Sequence, residues 1–139
     1  MLKGIKIGTI AGTIIGFLLL LMEKSTGKKV YTLLMNVDFL PIIGSISWPF
    51  YMEWLFHLML SCAIGMVLVA ILSYVSPSRH QQRWLAASVL SLGAALSYFP
   101  LTILAVKETP DVADPTALGG WMVSHLVYAV VLKKCYDFL

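Results

Sequence analysis

MEWLFHLMLSCAIGMVLVAILSYV, residues 52–75, is a run of twenty-four residues with Glu53 as its single formally charged side chain. At 1.5 Å per residue a helix of that length reaches about 36 Å, more than the ~30 Å hydrocarbon core of a bilayer. Its apolar residues are continuous rather than alternating, which selects a helix over a strand. A lone apolar helix in lipid satisfies every backbone group internally, and an open strand does not. Working outward, three more stretches have the same character: 5–22, 84–106 and 117–135. The sequence therefore predicts an all-α membrane protein, a four-transmembrane-helix bundle forming a single integral membrane domain over 1–139.

Composition agrees. Charged residues make up 12% of the chain and the mean hydropathy is +0.85; a soluble domain carries about 25% charged residues. A net charge of +3 gives no reason to invoke nucleic acid. The expected surroundings are the lipid bilayer, with a second copy of the chain or another membrane protein as partner. Cys62 and Cys135 fall in different spans and are expected as free thiols. The first apolar run follows Lys3 and Lys6 as in a signal peptide. It lacks a small-residue cleavage site before Glu23-Lys24-Ser25, so it reads as an uncleaved span.

Orientation follows from Lys and Arg. Lys3, Lys6, Arg79, Arg83, Lys133 and Lys134 share one side; Lys24, Lys28, Lys29 and Lys107 share the other. This predicts a multi-pass protein of the cell membrane with both termini cytoplasmic. The 76–83 connection is a short basic hairpin with Pro77 and Arg79, and the 107–116 connection is a short acidic turn. The 23–51 connection is long and apolar, and is expected as an interfacial outer loop containing a short helix or dipping back against the bundle. Trp48, Tyr51 and Trp54, and Trp84 on the other side, are expected at headgroup level.

Gly4, Gly8, Gly12 and Gly16 recur every fourth residue, a glycine zipper on one face of the first span. Such a face lets two helix backbones approach closely, where lipid offers no hydrophobic drive for association. Its partner is open between another span of this chain and a second copy. Ser61 with Gly65, Ala87 with Ser91 and Ala95, Gly93 with Ser97, and Gly120 with Ser124 give the other spans small faces as well, enough for compact packing.

His57 and His125 are the intramembrane ionisable residues, and such residues are functional candidates by default. Counted from the outer ends of their spans they reach similar depth, with Gly16 and Pro100 near that level. Pro100 removes a backbone donor and kinks the third span, freeing the carbonyl of Leu96. Ser97, Tyr98, Ser124 and Tyr128 add hydroxyls. Glu53, four residues before His57, shares its face: it reads either as a solvated acid at the outer interface or as a carboxylate that orients the imidazole or shares a proton with it. The alternative for both histidines is a neutral ring bonded to a hydroxyl or carbonyl, holding helices together. Met52, Met59 and Met66 read as packing. A faint internal repeat relates Trp54-Leu55-Phe56-His57-Leu58 to Trp121-Met122-Val123-Ser124-His125-Leu126. No phosphate loop, CxxC, HExxH or GxSxG motif occurs, and no catalytic residue is indicated.

His57-Leu58 with Ser61, Pro77, Phe99-Pro100-Leu101, and His125-Leu126-Val127 followed by Lys133 and Lys134 resemble the YagU-like (DUF1440) family of small bacterial inner-membrane proteins. The glycine face and Glu23 add to the likeness, which spans roughly 5–135. A shorter outer loop and Ser124 in place of a glycine depart from the family. The resemblance implies a four-helix inner-membrane fold, no established activity, and His57, Pro100 and His125 as positions of interest.

The expected function is that of a non-enzymatic structural or regulatory membrane protein, associating with membrane partners or itself through its glycine-rich faces. Two alternatives stay open. One is a transporter or proton- and ion-handling protein using His57, His125 and Glu53. The other is a haem or metal module with the two histidines as ligands. No cofactor is named by the residues themselves.

Overall fold

The computed structural model describes residues 1–74 and 80–139, and the fold is all-helical. Its helices are α1 (Leu2–Thr26), α2 (Val30–Met35), α3 (Phe50–Tyr74), α4 (His80–Leu96), α5 (Tyr98–Leu104) and α6 (Pro115–Phe138). Four segments are long and apolar enough to cross a membrane: α1, α3, the α4–α5 pair and α6. The chain is thus a multi-pass membrane protein of four spanning helices. The end of the second span at Val75, and Ser76, Pro77 and Arg79 of the expected basic hairpin, lie outside the described residues.

Helix ends extend past the apolar runs because local caps set them. α1 continues through Glu23–Thr26 until Gly27 adopts a left-handed conformation (φ 72°) and returns its N–H to the carbonyl of Glu23, a glycine C-cap. α6 starts at Pro115, two residues before the apolar run. Asp114 caps it by accepting from the amides of Thr116 and Ala117, with Pro115 in the first turn, where no N–H is needed. The third span is broken rather than bent. α4 stops at Leu96 and α5 starts at Tyr98. At the break, Ser97 Oγ donates to the carbonyl of Ala94 (2.6 Å), and Trp121 Nε1 of α6 donates to that of Ala95 (2.9 Å).

Burial is that of a protein meant for lipid. Phe17, Leu21, Met59, Val89, Ile103 and Val123 are exposed, while the centre holds Ile7, Leu19, Leu68, Trp121 and Leu132. α1 lies against both α3 and α6, and α4 packs along α6. The chain's two ends meet at one end of the bundle, where Lys3 Nζ stands 4.1 Å from the Tyr136 ring centroid. There Asp137 also pairs with Arg83 (2.8 Å) and with Lys133.

The opposite end is closed by the long connection, which holds α2 and a single 3-10 turn at Ile43–Ser45. Asp38 ties it down. Its Oδ2 accepts from the amides of Val106 (3.1 Å) and Lys107 (2.6 Å), and Oδ1 from the Asn36 amide (2.7 Å). Glu23 accepts from the N–H and hydroxyl of Thr32. Lys28 pairs with Asp114 (2.6 Å) and Lys29 with Glu108. The Lys28 ammonium, with the capped amides, holds the Asp114 carboxyl below its usual range, and Lys29 does the same for Glu108. Gly44 is required by space: an added Cβ would stand 2.0 Å from the carbonyl oxygen of Asp38. Ile42, two residues before it, has φ 70°, a strained conformation for a β-branched residue.

Candidate functional site

The glycine face is consumed inside the chain. A Cβ at Gly4 would meet the Met66 backbone at 2.6 Å, at Gly8 the Cys62 Cα at 2.4 Å, at Gly12 the Ser61 side chain at 2.7 Å, and at Gly16 the Trp54 ring at 2.5 Å. All four glycines are buried. Of the two partners left open for this face, α3 of the same chain occupies it. The close approach also creates polar contacts between the helices. Ser61 Oγ donates to the carbonyl of Gly8 (2.7 Å), and His57 Nε2 donates to that of Gly12 (2.9 Å). His57 is thus level with Gly12, one turn deeper than the Gly16 level expected; Gly16 instead faces Trp54. Trp54 also donates to Tyr31 Oη (2.8 Å).

On its other side α3 packs against α4 much less extensively than against α1, leaving a cavity of about 610 Å³. The small faces do not close the bundle at this place. Phe56, Leu60 and Ile64 of α3 form one wall, and Leu90, Gly93 and Ala94 of α4 the opposite one. Trp121, His125 and Tyr128 of α6 make the floor, and Leu34, Asn36, Phe39 and Leu40 of the long connection make the roof. α4 explains the arrangement. Its Ala87, Ser91 and Ala95 are buried on the α6 side, where Ser91 Oγ donates to the carbonyl of His125. Gly93 and Ser97 look into the cavity instead.

The structure brings His57 and His125 to this one cavity. His125 is 4% exposed; its Nδ1 donates to the Trp121 carbonyl (2.9 Å), and its ring lies 4.7 Å from the Trp121 ring. Ser61 and Tyr128 meet at 2.8 Å beside them. Pro100 sits in α5, one residue from Leu101 on the cavity wall. Glu53 is placed elsewhere: its Oε1 pairs with Lys107 Nζ (2.7 Å) across the loop end. Cys62 and Cys135 are free thiols. Among the described residues no group of three His, Cys, Asp or Glu side chains is placed to hold a metal ion.

Sequence reasoning missed Asn36 and Asp38 as the roof and its anchor. The signal available was an Asn-x-Asp pair isolated inside an apolar connection, where a polar side chain needs a nearby partner. It also missed the cavity, since small residues on a helix read equally well as contact or as empty space.

No family model, curated protein or solved structure matches this chain.

Proposed function

We propose that the protein is a non-catalytic, structural or regulatory membrane component that binds a small apolar molecule from the bilayer between α3 and α4. The observation that carries this reading is the 610 Å³ cavity. It has the size of a small-molecule site and the expected makeup, mostly apolar walls with a few convergent polar groups. The associating surface is then this cavity rather than the glycine face. His57 and His125 serve as its polar lining. In each ring one nitrogen is bonded to a backbone carbonyl of the bundle, and Glu53 belongs to a separate ion pair.

We also propose a bacterial inner membrane with both termini cytoplasmic, so that the roofed cavity opens in the outer leaflet. The Lys and Arg asymmetry and the YagU-like resemblance support this. Two positions that the resemblance singles out, His57 and His125, line the cavity, and Pro100 lies beside it.

The test is extraction of the purified protein and mass spectrometry of what it releases. A stoichiometric apolar small molecule is expected from the native chain. It should be lost from Gly93→Phe, which places a ring on the cavity wall where an added Cβ meets nothing within 4 Å. Equal lipid-like material from both, in proportion to detergent carry-over, would overturn the reading.

A further inference from the structure

We propose, resting on that reading of the cavity, that its occupant carries a hydrogen-bond donor at its head. The class is an apolar alcohol, phenol or hydroquinone rather than the matching ether, ester, ketone or quinone. The argument is a count of protons along the polar wall. A carbonyl oxygen only accepts, and a neutral imidazole has one N–H and one lone pair. His125 Nδ1 faces the Trp121 carbonyl, so the N–H is at Nδ1 and Nε2 carries the lone pair. His57 Nε2 faces the Gly12 carbonyl, so its lone pair is at Nδ1. Ser61 has a single hydroxyl hydrogen and gives it to the Gly8 carbonyl. In the Ser61–Tyr128 contact the phenol must therefore be the donor, which commits the Tyr128 proton as well. Ser97 gives its hydrogen to Ala94, and the Trp121 N–H goes to Ala95.

Every one of these groups, five side chains on α3 and α6 and one in the Ser97 joint, has its proton directed into the bundle. What remains for a guest is lone pairs: on both histidines, on the Tyr128 oxygen and on the two serine oxygens. Asn36 at the roof is the exception. One of its amide hydrogens goes to Asp38 and the second is left over. A guest offering only acceptors meets like with like along the floor, and loses its bonds to water or headgroups on entry without replacement. A guest with a hydroxyl regains one. Turning a serine proton toward the guest would take it from a backbone carbonyl of α1 or α4, and turning that of Tyr128 would take it from Ser61 Oγ.

The test compares 4-octylphenol with 4-octylanisole, which differ by capping the one donor with a methyl group. Each is equilibrated with protein-loaded and empty nanodiscs, and the excess held by the protein is measured by mass spectrometry. The phenol is expected to be held about tenfold more tightly, the factor of one neutral hydrogen bond gained. Equal retention of the two, or preference for the anisole, overturns the donor rule while leaving the cavity reading standing. Retention of neither above the empty discs overturns the cavity reading itself. In a His125→Phe variant, which keeps a ring in the same place, discrimination should fall below threefold; undiminished discrimination would remove His125 from the recognition.

Discussion

α3 has two seams, and they are opposites. Toward α1 it meets a face without side chains, so closely that backbone touches backbone at Gly4 and Gly8. Toward α4 it presents Phe56, Leu60 and Ile64 to open space. Both neighbours offer small residues, yet only one offers them in a run that reaches the contact. On α1 the glycines recur at every fourth position from Gly4 to Gly16. On α4 the comparable run, Ala87–Ser91–Ala95, is turned to α6, and what remains for α3 is Gly93 and Ser97. A small residue in a membrane helix closes a seam only when a partner helix reaches it; otherwise it leaves room.

The sharpest way to break this comparison is to add the same side chain to each seam. Gly8→Leu should destabilise the protein by about 3 kcal/mol or more, since the obstacle is backbone rather than a flexible side chain. Gly93→Leu should change stability by less than ~0.5 kcal/mol, because an added Cβ there meets nothing within 4 Å. Unfolding midpoints in a denaturing-detergent titration measure both. Similar losses at the two sites would mean that α3 and α4 also close on each other.

A smaller effect is expected from Ser61→Ala, which removes the donor to Gly8 and the acceptor for Tyr128. The loss should be about 1 kcal/mol, the usual scale for a polar contact between membrane helices. Ser91→Ala, at the α4–α6 seam, should cost a similar amount by the same titration. A much larger loss at Ser61 alone would make its hydrogen bonds, rather than the glycine contact, the main tie between α1 and α3.

The smallest effect lies at the roof and depends on pH. Burial pushes the Asp38 carboxyl up. The amides of Lys107 and Val106, helped by Asn36 and the Lys107 charge, outweigh that and hold it below its usual range. A carboxyl lowered in the folded state contributes stability above its ordinary value near 4. That contribution is lost as pH falls through the lowered folded value. Hydrogen exchange at the Val106 and Lys107 amides should therefore accelerate as the pH drops below about 4, relative to the α1 core. Asp38→Asn should show the faster exchange at neutral pH. Unchanged exchange in both cases would separate the roof from this carboxylate.

The four spans were legible because length and hydropathy are one-dimensional quantities, and the glycine face because its period matches the helix. The neighbour of that face was not legible: Gly8 looks the same in sequence whether Cys62 or a second copy lies opposite. His57 and His125 were placed together by counting depth, which works when two helices enter from the same side. The count missed by one turn at Gly16, since helix tilt and capped ends shift levels without changing the sequence. The partner of Glu53 was not legible, because the four-residue spacing to His57 describes one helix alone; Lys107, fifty-four positions away, pairs with it.

The glycine ladder also sets how far the two helices can be out of step. A slip of α1 by four residues is a translation of about 6 Å, and in most places it would replace one glycine by another. The carbonyls that Ser61 and His57 use would each be replaced by an equivalent one. The ladder ends at Gly16, however, and the next rung is Leu20. A slip that carries Leu20 beneath Trp54 collides with the indole, which now rests on Gly16. The assembly of these two helices is thus a vernier with a stop at one end, and Trp54 is the stop.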